Sequence, residues 1–341
     1  MFKEQLRRMI EGHTLSESTA EQVMDVIMEG RANDAQIASF LTILQMREET
    51  VDELTGFVRS LRNHVVQLDH GGLPLIDTCG TGGDGHSTFN ISTASAILVS
   101  SLGIKVAKHG NKAVSSKSGS ADVLDQLGIP TQSSRDEAVA TLKKNNMCFL
   151  FAPNYHVAMK HAVSARKAIG FRTVFNSLGP LANPAGSQSQ LIGVYSHEKA
   201  LKMAETLKRL GTKRALLVTG GEGMDECSIS TYTDFVELKD GKVFTYRRTP
   251  EDVGLTSGES KDLIVNTSQE SADLIERIFD GVGNEASREI VLYNAGAALY
   301  LSGACDTIKA GVQMAKEAIE IGTARKQLNA LSAKKEMNVH A

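Results

Sequence analysis

The chain has 341 residues, 41% of them hydrophobic and 23% charged, with a formal net charge of −3. This is the balance of an ordinary globular protein, long enough for two domains or one large one and able to bury a sizeable core. It excludes a global basic field for nucleic acid, and no apolar run is long enough to span a bilayer.

Cys79, Cys148, Cys227 and Cys305 are far apart and form no CxxC pair, so they read as reduced thiols rather than zinc ligands or disulfides. Met1 to Arg8 lacks the apolar core of a signal peptide. The expectation is a soluble cytoplasmic protein with neither a nucleic-acid nor a membrane partner.

The first seventy residues are predicted all-helical. Ser18-x-x-Glu21 reads as a capping box, followed by Val23, Met24, Ile27 and Met28 at helical spacing. Ile37, Phe40, Leu41 and Leu44 repeat the pattern. Thr50-x-x-Glu53 opens a third helix, with Leu54, Phe57, Val58, Leu61 and Val65 along one face. These apolar stripes carry no evident chemistry and predict a packing module and a dimer surface.

After Gly71-Gly72 short apolar runs alternate with helical stretches. Strands are predicted at Leu73–Ile76, Ile104–Ala107, Met147–Phe151, Leu191–Tyr195 and Ala215–Thr219. Helices are predicted at 92–102, 120–127, 135–145 and 198–210. The alternation implies an α/β domain with a largely parallel sheet. Phe235–Leu238 and Val243–Tyr246 flank Lys239-Asp240-Gly241-Lys242, a hairpin signal. The last eighty residues are mostly helical, and Val291 to Leu301 is apolar nearly all round, so it should be buried. The polar tail from Ser332 is expected to fray.

Three loops after predicted strands carry the chemistry, where α/β sheets bind ligands. The first is Asp77-Thr78-Cys79-Gly80-Thr81-Gly82-Gly83-Asp84-Gly85. Its glycines let backbone N–H groups approach an anion, next to a helix start at Asn90-Ile91-Ser92-Thr93. The spacing is neither G-x-G-x-x-G nor Walker-type, and a purely structural turn fits the glycines equally well. The second loop, Lys108 to Ser120, offers three lysines, four serines and two further glycines to a polyanion. The third, Gly220-Gly221-Glu222-Gly223-Met224-Asp225-Glu226, puts two carboxylates together, as Mg²⁺ beside a phosphate prefers, although taken alone a polar loop with two solvated acids fits it better. A fourth stretch, Phe151 to Pro184, is rich in turn and basic residues, and Arg166 is a candidate for bidentate carboxylate binding.

Taken in order, GTGGD, NxST, KHGN…SSxSGSADVL, FAP..H, R.xFN.LGPL.NP and G.DE resemble the anthranilate phosphoribosyltransferases from about Leu73 to Glu226. The resemblance implies a small all-helical domain hinged to a larger α/β domain with a mainly parallel central sheet, as in pyrimidine nucleoside phosphorylases. The helical domain would take residues 1–70, completed by a segment near 165–190. The α/β domain would take 71–164 and 191–341. No glutamine amidotransferase domain is expected, because the helical module starts almost at Met1.

The implied reaction joins anthranilate to phosphoribosyl pyrophosphate, giving N-(5-phosphoribosyl)anthranilate and pyrophosphate in tryptophan biosynthesis. By matching motif, Gly80, Gly83, Asp84, Thr88, Asn90, Ile91, Ser92 and Thr93 would contact phosphoribosyl pyrophosphate. So would Lys108, His109, Gly110, Asn111, Lys112, Ala113, Val114, Ser115, Ser116 and Ser120. Ser92, Asp225 and Glu226 would hold Mg²⁺. Gly80, Asn111 and Arg166 would contact anthranilate, with His109 close by. No strong general base is evident, and His109 is the candidate. The implied assembly is a homodimer. The competing readings are a pyrimidine nucleoside phosphorylase-like enzyme, which needs no Mg²⁺, and a non-catalytic nucleotide or nucleic-acid binder of the same fold.

Overall fold

A computed structural model describes residues 1–113 and 117–332. Val114, Ser115 and Ser116 of the second loop, and the tail beyond Ser332, lie outside the described residues.

The amino-terminal unit is α1 (Phe2–Ile10), α2 (Glu17–Met28), α3 (Asp34–Arg47) and α4 (Val51–His64). The Thr50–Glu53 capping box is present, but α4 is the fourth helix, since α1 precedes the three expected ones. The Ser18 expectation is corrected: the cap of α2 is Ser16, whose Oγ accepts from Thr19 N at 3.3 Å, and Ser18 lies inside the helix. Val65 falls just past the end of α4 and packs with Leu68 and Leu75 rather than on the helix face.

The sheet begins with β1 (Ile76–Gly80), followed by α5 (Ile91–Ser101) and β2 (Val106–Gly110). Next come α6 (Ser120–Gln126), α7 (Arg135–Asn145) and β3 (Met147–Phe151). The chain then leaves the sheet through α8 (Ala152–Tyr155), α9 (Lys160–Ile169) and α10 (Phe175–Leu181). Helix α9 packs on α3 and α2, and α10 on α4.

It returns as β4 (Ser189–Gly193), α11 (His197–Arg209), β5 (Arg214–Gly220), β6 (Thr233–Lys239) and β7 (Lys242–Arg248). The hairpin between β6 and β7 turns on Asp240 and Gly241, both at positive φ, as a two-residue turn of this hand requires. Four helices close the chain: α12 (Ser268–Phe279), α13 (Glu285–Ser302), α14 (Ile308–Glu320) and α15 (Thr323–Leu331).

Strand order is β3-β2-β1-β4-β5-β6-β7, the first five parallel and the last two antiparallel. Alternate side chains face two different cores. Leu191, Leu216 and Phe235 pack with α5 and α13, whose Ile290–Leu299 stretch is wholly buried. Ile192, Leu217 and Val236 pack with α11 in a cluster continuous with the helical unit.

From β1 the chain builds outward to β2 and β3, then crosses to β4 on the other side. The β1–β4 boundary is therefore the switch point at which such sheets bind ligands beyond their carboxyl ends. Strand β1 starts three residues later than expected and runs into the glycine motif. Pairing on both edges, with Gly80 beside Gly193, overrides the weak strand propensity of Asp77-Thr78-Cys79-Gly80.

Candidate active site

Two bare strand ends form the floor of the site. A Cβ on Gly193 would lie 1.5 Å from the Asp225 carbonyl oxygen, and one on Gly80 would lie 2.5 Å from Asp225 Oδ2. The 224–226 segment can rest on the switch point only because both strands end in glycine there. The seat is pinned by two bonds: Thr81 N donates to Gly193 O at 2.9 Å, and Gly82 N donates to Asp225 Oδ2 at 2.7 Å. Gly193 carries no motif signal of its own and was missed from sequence.

A cavity of about 220 Å³ opens above this floor. It is lined by Gly80, Gly83, Asp84, Thr88, Asn90, Ile91, Ser92, Lys108, His109, Gly110, Asn111, Ser120, Asp225 and Glu226. It also takes in Ser118 and Gly119 of the second loop, and Ser87 and Phe89, which the sequence reading had not singled out. Thr93 lies outside the lining, fully buried, its N–H donating to Asn90 Oδ1 at 3.1 Å in the cap of α5. Lys112 and Ala113 also stand outside it, their N–H groups bound to Asn111 Oδ1 and Asp122 Oδ2 at 2.8 Å each.

The electrostatics of this cavity are unbalanced. Burial, then the neighbouring Asp84 carboxylate, pushes Asp225 up to about 7. Burial and Asp225 push Glu226 well above the ordinary carboxylate range. Lys108 counters them from below: it is 1% exposed, and its Nζ donates to Thr78 O at 2.6 Å and Ser92 Oγ at 3.0 Å. Asp77 sits beneath, fully buried, its Oδ1 accepting His109 N at 3.2 Å. Burial lowers the Lys108 ammonium pKa and raises that of Asp77, while each opposes the other's shift.

Concentrated carboxylates beside a serine hydroxyl and polar backbone suit a hard cation. Among the described residues no three His, Cys, Asp or Glu side chains are gathered closely enough to hold a metal alone. The set therefore fits Mg²⁺, which keeps waters and shares substrate phosphates, better than a closed protein cage.

A second cavity, of about 610 Å³, adjoins the first and shares Cys79, Gly80, His109, Gly110 and Asn111 with it. Its far walls come from α8 to α10: Pro153, His156, Val163, Arg166, Phe175, Gly179 and Pro180. The Arg166 guanidinium carbon stands 5.2 Å over the Phe175 ring. Among the described residues no carboxylate pairs with Arg166, and burial lowers its pKa. The His109 and His156 rings lie 5.0 Å apart, and Nε2 of each is buried without a hydrogen-bond partner. The FAP..H and LGPL motifs that carried the resemblance thus line one largely apolar chamber, into which α9 also brings Lys160 and Arg166.

The fold and site define a two-part transferase: α8 to α10 wall one chamber, and sheet loops rich in glycine, serine and acidic residues build the next. Residues 3–65 match the helical bundle domain and residues 72–325 the a/b domain of a glycosyl transferase family. An anthranilate phosphoribosyltransferase of Halalkalibacterium halodurans is 60% identical over 322 residues, covering 94% of each chain. The crystal structure of anthranilate phosphoribosyltransferase from Thermus thermophilus superposes with a TM-score of 0.89 at 36% identity, over 96% of this chain and 97% of that one. The Saccharomyces cerevisiae enzyme in complex with PRPP and Mg has a TM-score of 0.87 at 28% identity, over 97% and 96%. This chain belongs to the anthranilate phosphoribosyltransferase family. Among the described residues no helix is long and apolar enough to cross a membrane.

Proposed function

We propose that this chain transfers the 5-phosphoribosyl group of phosphoribosyl pyrophosphate to the amine of anthranilate, releasing pyrophosphate, in tryptophan biosynthesis. One observation carries the reading. A chamber lined by glycines, serines, Lys108 and the Asp225-Glu226 pair and a largely apolar chamber holding Arg166 meet at Gly80, His109 and Asn111. Donor and acceptor would face each other across that junction. Loss of anthranilate fluorescence on adding phosphoribosyl pyrophosphate and Mg²⁺ tests it, and unchanged fluorescence would refute it.

In this reading Gly80, Gly83, Asp84, Thr88 and Asn90 through Thr93 hold phosphoribosyl pyrophosphate. Lys108 through Ser116 and Ser120 complete that site. Ser92, Asp225 and Glu226 hold Mg²⁺, which supplies positive charge for the leaving pyrophosphate. Gly80, His109, Asn111 and Arg166 face anthranilate. The bond from ribose C1 to the pyrophosphate oxygen breaks and its electron pair leaves with pyrophosphate. The arylamine nitrogen bonds to C1 and gives up a proton.

Loop N–H groups and hydroxyls aimed at the leaving group stabilise its growing charge. Arg166 fixes the ring by its carboxylate and so holds the amine opposite the leaving group. Burial, then His156 and Lys108, pushes His109 down to about 3, which makes it a weak proton acceptor at neutral pH and supports a positioning role. The ortho-carboxylate of anthranilate is then the nearest acceptor for the proton.

Activity should fall to background in excess chelator and return with Mg²⁺; full turnover in chelator would exclude the metal assignment. The two ends of the site should also separate kinetically. Loss of a charge-assisted hydrogen bond costs about 1.5–3 kcal/mol. Arg166→Ala should therefore lower kcat/KM for anthranilate roughly 10- to 150-fold, with little change in the KM for phosphoribosyl pyrophosphate. Asp225→Asn should do the reverse. Steady-state kinetics with each substrate varied in turn decides between them.

We further read residues 1–70 with 165–190 as the helical domain and the remainder as the α/β domain. The packing of α9 and α10 on α2, α3 and α4 supports this, although α9 begins already at Lys160. We read the enzyme as a cytoplasmic homodimer formed through its amino-terminal helices, which leave Ile10 73% and Met46 84% exposed. Light scattering at micromolar concentration should return twice the chain mass; a monomer would refute the dimer.

A further inference from the structure

A cavity of about 490 Å³ lies away from the cleft and shares no lining residue with either chamber. It sits at the amino-terminal edge of the sheet. Residues 65–70, which lead from α4 toward β1, form one side, and residues 183–188, which lead from α10 to β4, form the other. These are two of the connections between the helical unit and the sheet. Both are tied down beside the cavity: Val66 N donates to Tyr155 O at 2.9 Å and Leu68 N to Pro184 O at 3.0 Å.

Most polar groups on its walls are already engaged. Asn183 donates to Ala107 O at 2.9 Å and accepts from Ala185 N at 2.8 Å. Gln190 donates to Pro180 O at 2.8 Å, and Ser187 to Leu75 O at 3.1 Å. Two cationic or potentially cationic groups are not so engaged. Arg62 donates through Nε to Leu181 O at 2.9 Å, but among the described residues no carboxylate comes within ion-pair distance of it. Asp69, the acid on the wall, accepts instead from Gly71 N at 3.0 Å. The His70 Nδ1 is buried with no hydrogen-bond partner.

Arg62 is half-buried, burial pushes it down to about 10, and beyond its bond to Leu181 O its guanidinium lines the cavity. A planar guanidinium in that state pairs best with an oxyanion, which accepts two parallel N–H bonds. The volume suits a small ligand.

We propose that this hinge cavity is a binding site for a small oxyanion, held by the Arg62 guanidinium with His70 as a second donor. Because its walls are the two connections, an occupant links them and stiffens one lobe against the other.

Calorimetric titration of the full chain with sodium sulfate, and separately with sodium malonate, tests this against sodium chloride at matched ionic strength. One saturable event should weaken about 10-fold or more in Arg62→Met. Anion binding in the cleft would survive that substitution, so the two sites are told apart whether or not the transferase reading holds. Tighter sulfate would identify a phosphate-like occupant, and tighter malonate a carboxylate. Should Arg62→Met fail to fold, a selenate soak of wild-type crystals decides, with an anomalous peak expected beside Arg62. No saturable event, equal affinity in Arg62→Met, or a peak confined to the cleft would overturn the proposal.

Discussion

Gly193→Ala is expected to be among the most damaging single-methyl changes in this chain. The added carbon would meet the Asp225 carbonyl oxygen at 1.5 Å, inside any real contact distance. Neither partner can yield cheaply. Gly193 is held by the ladder to Gly80 on one side and to Val218 on the other. Asp225 is held by Gly82 N, and its own N–H points to Asp84 Oδ2 at 3.4 Å. Overpacking of a tight site costs about 1–3 kcal/mol, so the urea midpoint should fall accordingly.

The kinetic effect should exceed the structural one, because the displaced segment carries both acidic metal candidates. Misplacing a reacting constellation by about 1 Å costs on the order of 100-fold. The loss should appear as weaker use of Mg²⁺ and phosphoribosyl pyrophosphate, with anthranilate affinity spared. A Gly193→Ala enzyme with wild-type Mg²⁺ dependence would show that the 224–226 seat is unrelated to the metal.

The second large effect is the acid sensitivity carried by two buried histidines. His109 is pushed down to about 3 and His156 to about 4, in both cases first by burial. Unfolded, each titrates near 6.5. Both folded values are depressed, so between about pH 6.5 and 4 the unfolded chain binds more protons than the folded one. The contribution of the neutral rings is therefore fully present above about pH 6.5 and is lost as pH falls.

Each histidine contributes at most about 1.4 kcal/mol per pH unit in that window, so the pair taken alone removes roughly 5 kcal/mol between pH 8 and 4.5, while the raised Asp77, Asp225 and Glu226 carboxyls act in the opposite sense. Urea unfolding of wild type and of His156→Gln at the two pH values isolates the histidine share. Acidification should cost His156→Gln about 2.5 kcal/mol less than it costs wild type, whatever the substitution does to stability at pH 8. An unchanged slope would mean that His156 does not carry the effect.

Much of the site was legible in the chain, because its motifs stand together. Four glycines beside an aspartate at Gly80–Gly85, a Lys-His-Gly-Asn run ending a strand, and adjacent acids at Asp225-Glu226 each fit a structural turn or a polar loop when taken singly, and only their order along the chain points to one site. Spaced apolar residues were enough for the helix of Arg135–Asn145 and the strand of Met147–Phe151, which match their expected bounds. Short-range patterning decides such elements because helix and strand repeat on the scale of a few residues.

What lay beyond reach was set by neighbours distant in the chain. Strand β1 extends to Gly80 because β2 and β4 pair on both its edges. Gly193 is 32 residues before Asp225 and looks like any strand-end glycine until the acidic loop is laid across it. That the Lys108 ammonium bonds Thr78 O and Ser92 Oγ was likewise not legible in its motif. The sequence by itself determined which chemistry the loops could perform. The tertiary structure alone decided which backbones had to touch, because close approach and burial depend on where other segments pack.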